Sequence, residues 1–201
     1  MVQSLPRVLA LFMFLLVCGC SSTRPAPVEP VAHDTVQSAR EHADPAVYDN
    51  ALNLLHDLLG DESDLSKVLI IKNASPPIAQ LIKDISKTAG AAQKNIESFS
   101  QTDPPRDWDR LGLPPGEAAA RKGMSKIKEH DLLHASGKEF EFLVLLTQAD
   151  AMGYGAQLAR TAAENAPDPD RAAQLVVISN HLNQFHADVL GLLRGEPKSR
   201  L

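Results

Sequence analysis

Few residues in this chain have types and spacings that could do chemistry. Glu129-His130 and His134 place two imidazoles at i and i+4, on one helix face from which both could reach a single metal ion. The pattern names no third or fourth ligand. His181 and His186 are five residues apart, which splays them on a helix, so they do not form a pair. The Glu-x-x-His pair of di-iron bundles does not occur, nor does a Gly-x-Ser-x-Gly elbow, nor a Gly-rich phosphate loop after a strand. The carboxylates fall mostly where an amphipathic helix would keep its outer charge, and none is assigned acid–base work. These patterns indicate a non-enzymatic protein with no cofactor, and leave His181, His130 and His134 as the weak candidates for a metal.

A different chemistry is written at the N-terminus. Arg7 precedes an apolar run from Val8 to Val17 that is too short for a comfortable membrane span and reads as a signal peptide. The run ends in Val17-Cys18-Gly19-Cys20, which resembles the bacterial lipobox: an aliphatic residue, a small residue before the cysteine, and the cysteine that is acylated as the new N-terminus. Cys20 is therefore the expected lipidation site and residues 1–19 the leader. Ser21 stands where an inner-membrane retention aspartate would otherwise sit, so the sorting pattern implies the outer membrane, with the domain in the periplasm. Cys18 leaves with the leader and Cys20 is consumed by lipid, so the mature chain can form no internal disulfide. Residues 20–43, with Pro25, Pro27 and Pro30, read as a Pro-rich tether of about 3.1 Å per residue when extended. His33 and His42 belong to that solvated stretch.

Positioning falls to residues 44–195. The chain has 201 residues and a formal net charge of −5 with both signs interspersed. That suits one globular domain and supplies no basic stripe for nucleic acid. Asp44-Pro45 opens a helix whose Val47, Tyr48, Ala51, Leu52, Leu55, Leu58 and Leu59 share a side, with Gly60 as its expected end and His56 beside the stripe. Asp64 is expected to cap a short helix through Leu65, Val68, Leu69 and Ile71. Ser75-Pro76-Pro77 starts a third helix with an inward stripe from Ile78 to Phe99. After an irregular crossing in which Trp108 is expected to plug one end of the core, a largely polar helix from Glu117 to Ala135 is expected at the bundle edge.

The densest periodicity comes last. Phe140, Val144, Thr147, Ala151, Tyr154, Leu158 and Ala162 make one stripe; Ala172, Leu175, Ile178, Leu182, Phe185, Val189 and Leu192 make another. Between them Ala166-Pro167-Asp168-Pro169 forms an elbow, with Asp168 as N-cap and Pro169 at the first helical position. The two helices should be antiparallel neighbours around which the rest packs. No β-pattern appears. The expected fold is all-α: a bundle of about four long helices with one or two short ones.

Asp64-Leu65-Ser66-Lys67-Val68, Ala74-Ser75-Pro76, Leu113-Pro114, Ser136-Gly137-Lys138-Glu139-Phe140-Glu141, Asp168-Pro169 and Leu175-x-x-Ile178-x-x-His181-Leu182, taken in order, resemble a ferritin-like family of exported bacterial proteins catalogued as a domain of unknown function and often called putative outer membrane protein. The likeness spans roughly residues 46–193. It implies a ferritin-like up-and-down bundle. By analogy with ferritins it also implies a metal site, built on an Asp-His pair, a mid-helix His and a His-Leu in the last helix. Here the first place falls on Thr88-Ala89 and the second on Met152, and only His181 remains, expected to face inward. The expected function is accordingly a lipid-anchored helical domain that binds an envelope protein or serves a structural role, with a ferritin-like metal-binding protein as the alternative.

Overall fold

A computed structural model describes residues 43–99 and 106–195; Cys20, the leader and the tether lie outside the described residues. All regular structure among the described residues is helical. The elements are α1 (Pro45–Asp64), a 3-10 turn (Leu65–Lys67), α2 (Val68–Ile71), α3 (Pro76–Phe99), α4 (Pro115–His134), α5 (Gly137–Glu164) and α6 (Pro169–Leu193). Five of these are long, against the four expected. The fifth is α4, whose 20 residues include none that is fully buried and which meets the core only through half-buried Leu132.

Two helix starts obey the cap-then-proline rule. The Asp44 carboxylate accepts from the Ala46 amide at 2.8 Å, the Asp168 carboxylate accepts from the Arg171 amide at 2.9 Å, and Pro45 and Pro169 occupy positions whose amide would have been orphaned. The end of α1 departs from expectation. Gly60 does not stop it, and the helix runs on to Asp64. Gly60 lies inside the helix against α3, where the end of the Gln93 side chain comes within 2.9 Å of the position a Cβ would take. That extra turn carries Glu62 into the interior.

The bundle itself is made of α1, α3, α5 and α6. α5 and α6 fold back about the elbow, with Ser179 Oγ donating to the Ala156 carbonyl at 2.9 Å. α1 runs antiparallel to α3, through His56 against Glu97 and Ser86 against Glu62, and antiparallel to α5, where the Asp44 amide reaches Asn165 Oδ1 at 2.9 Å. The Arg171 guanidinium over the Phe99 ring, 5.7 Å from its centroid, closes α6 on α3. α3 and α5 consequently run parallel, and α4 carries the chain back along α5, through Arg121 to Tyr154 Oη at 2.8 Å and Lys128 to Asp150 at 3.7 Å.

Leu52, Leu55 and Leu59 of α1, Leu81, Ile82, Ile85 and Ile96 of α3, Phe140, Val144 and Met152 of α5, and Leu175 and Val189 of α6 are fully buried. The stripes of α3 and α6 face inward as their periodicity predicts. That of α5 is turned: Tyr154 is exposed, while Gln148, Met152 and Ala156 are buried. Packing against both α1 and α6 buries a wider face than one three-four stripe can mark.

Candidate functional site

The Thr88-Ala89 and Met152 positions lie where the resemblance puts a metal site, and the structure fills that space with hydrocarbon. Ala89 and Met152 are buried in the apolar core. His181 is exposed on α6, contrary to the expectation that it faces inward. The reason is its register: the buried residues of α6 are Leu175, Ile178, Ser179, Leu182 and Val189, and the side chain between Ser179 and Leu182 turns to solvent. These three positions therefore do not converge, and they do not fit a metal.

His130 and His134 do come together, but by stacking. Their ring centroids are 4.0 Å apart at 24°, both side chains are exposed, and His134 Nδ1 donates to the His130 carbonyl at 2.8 Å. Each imidazole lone pair lies in its own ring plane, so stacked rings aim nearly parallel lone pairs instead of converging on one ion. Among the described residues no three His, Cys, Asp or Glu side chains are grouped so as to hold a metal.

What occupies the polar interior is a group absent from the sequence-level candidates. One turn from Ala89 and Met152 sit Ser86 of α3 and Gln148 of α5, and between them the last turn of α1 brings in Glu62. Glu62 and Gln148 are both almost wholly buried. Burial raises the Glu62 carboxyl to about 7; the Gln148 amide, hydrogen-bonding to it, opposes the rise, neighbouring Asp61 adds to it, and the Lys128 ammonium of α4 pulls it down. Glu62 Oε2 and Gln148 Oε1 have no protein partner. Both are acceptors while the carboxylate is ionised, and a single proton on Glu62 is the simplest group that could serve both. Ser86 Oγ adds order by donating to the Glu62 backbone carbonyl at 3.0 Å and accepting from the Ser66 amide at 2.8 Å.

A second polar cluster lies on the outer flank of α1. His56 stacks on Trp108, centroids 4.2 Å apart, and its Nε2 lies 3.0 Å from Glu97 Oε1. Arg106 pairs with Asp49 at 2.8 Å and lies over the rings of Tyr48 and Trp108. Asn53 Nδ2 donates to the Arg110 carbonyl at 2.8 Å and Asn50 Nδ2 to the Leu111 carbonyl at 2.5 Å. Gly112 has φ +66°, and a Cβ there would come within 2.6 Å of Asn50 Nδ2, so the residue must be glycine for the segment to lie down. Trp108 thus seals the side of α1, near its middle, instead of plugging an end of the core. The hydrogen bonds from Asn50 and Asn53 and the Arg106–Asp49 pair dock the segment from Arg106 to Leu113 on α1 as a strap.

Comparison with protein-family models, with curated proteins and with solved structures returns no match to this chain. No helix among the described residues is long and apolar enough to cross a membrane.

Proposed function

We propose that this protein is a lipid-anchored outer-membrane lipoprotein whose periplasmic domain, a ferritin-like bundle, serves a binding or structural role in the envelope without catalysis. The observation that carries the non-metal half of this reading is the packing of Ala89 and Met152 into the core at the places where the resemblance would put imidazoles, with His181 turned outward. The route of the chain supports the ferritin-like half. Four helices with antiparallel neighbours are joined by one long crossover, which is the connectivity of ferritin-like bundles, although here the crossover includes the helix α4. The leader, lipobox and Pro-rich stretch support the anchor.

Intact-mass analysis and membrane fractionation test the anchor in the full chain expressed in a Gram-negative host. The product should begin at Cys20, carry an acyl adduct and sediment with outer membrane, and Cys20→Ser should release it. An unacylated mature chain would refute the anchor. Elemental analysis of the purified protein tests the rest: stoichiometric iron, zinc or copper that disappears in His181→Ala would overturn the non-metal reading in favour of a ferritin-like metal-binding protein.

A further inference from the structure

The segment joining α1 to α3 is fixed at both ends yet holds its apolar side chains out. Ser86 Oγ secures the 3-10 turn at its start. At its end Lys72 Nζ donates to the carbonyls of Leu133 and Ala135, closing the C-terminus of α4, and the Ser75 amide donates to Glu141 of α5. Between these fixings Ile70 and Ile71 are 83% and 64% exposed, the two most exposed large apolar residues among those described. Sequence periodicity places Ile71 on a helix face with Leu65, Val68 and Leu69; in a helix of one turn only those three pack against the core.

The ground beside the two isoleucines is basic. A shallow groove of about 570 Å³ next to them is lined by Ser66, Lys67, Leu69, Lys72, Asn73 and Lys83 among others, with no acidic side chain in its wall. In a chain of net charge −5 this is a local reversal of sign. Lys67 pairs with Asp64 at 2.6 Å, an exposed pair of little strength, and Lys72 donates to backbone carbonyls and not to a carboxylate.

We infer that this turn is a membrane-contact site that takes the anionic headgroups of a phospholipid surface on Lys67, Lys72 and Lys83, while Ile70 and Ile71 enter the interface. Two protruding aliphatic side chains beside ammonium groups match an interface that is apolar below and anionic above, and they match a concave ligand pocket poorly. The isoleucines contribute through buried area and the lysines through attraction to the surface potential, each within a Debye length of it. The tether does not forbid this geometry. α1, of 20 residues, is about 30 Å long, and an extended chain from Cys20 to Asp44 reaches roughly 70 Å, so either end of the bundle can approach a bilayer.

The site is independent of the lipid on Cys20, and the test keeps the two apart by using the chain from residue 20 onward with Cys20→Ser, which carries no acyl group. All buried residues among those described lie between Tyr48 and Val189, so this chain keeps the whole core. Co-sedimentation with vesicles of equal parts phosphatidylglycerol and phosphatidylethanolamine should show binding that weakens with added salt, against little with phosphatidylcholine alone. The pair Lys67→Gln and Lys83→Gln should weaken it roughly 25-fold, at about fivefold per charge near the surface. Ile70→Ser with Ile71→Ser should abolish it, and Val176→Ser with Val177→Ser, exposed on α6, should leave it unchanged. Circular dichroism confirms that each variant is folded. No binding to the anionic vesicles, binding equal to that on phosphatidylcholine, or binding indifferent to the lysine and isoleucine variants would each overturn the inference.

Discussion

Replacing Glu62 by Gln should stabilise the protein at alkaline pH and leave it nearly unchanged at acid pH. The wild-type carboxyl is raised by burial from its ordinary 4.5 to about 7, so the folded state holds a proton that the unfolded chain has already lost across that interval. A raised acid costs stability: the cost is absent below about pH 4.5, grows as pH rises and is complete above about pH 7. The gap corresponds to about 3 kcal/mol. The new amide has no charge to bury, and it can donate to Gln148 Oε1 at every pH. Chemical denaturation of both proteins at several pH values from 5 to 8, at constant ionic strength, gives the comparison, because the titration of groups not coupled to Glu62 cancels in the difference. Part of the cost is already present at pH 5, so the variant should gain about 2.5 kcal/mol over wild type between the ends of the series, or roughly 5–10 °C in Tm. Parallel stability curves would show that Glu62 is solvated or ionised at no cost, and the interior acid–amide pair would have to be abandoned.

Gly112→Ala should detach the strap, since it demands a left-handed backbone from a residue with a Cβ and presses that Cβ on Asn50. A loss of about 1–3 kcal/mol and a red-shifted emission from Trp108, the only tryptophan in the chain, would be the signs. Phe140→Ala, at a fully buried site on α5, should cost about 3–5 kcal/mol in urea denaturation. Hydrogen exchange should find the amides of α4 the least protected of the long helices, because that helix buries no residue and meets α5 through exposed pairs; protection equal to α3 would contradict this.

The bundle is legible because its signals are local. A cap followed by proline needs only four residues to be read, as at Asp44-Pro45 and Asp168-Pro169, and the stripes of α3 and α6 face one side of the core each. Legibility fails where a residue's role depends on a neighbour far along the chain. Gly60 looks like a stop unless Gln93 is known to lie beside it. Tyr154, expected on the inward stripe, is exposed because α5 answers to two partners at once, and His181 falls between buried positions by a fraction of a helical turn.

Glu62 fails for the same reason with more at stake. In sequence it belongs to Asp61-Glu62-Ser63-Asp64, a run that reads as solvated helix end, and its nearest cation, Lys67, pairs with Asp64 instead. Its environment is made by Gln148, 86 residues on, and by Lys128 of a helix that buries no residue fully. The two exposed isoleucines invert the case: Ile70 and Ile71 sit in the apolar run Val68-Leu69-Ile70-Ile71, which reads as core, and a helix of one turn cannot bury all of it. A buried acid in a polar run and bare isoleucines in an apolar one are both departures from the pattern that specifies the bundle. Such departures are where a sequence gives up local consistency, so the pH series and the vesicle assay address the two places where function has most reason to sit.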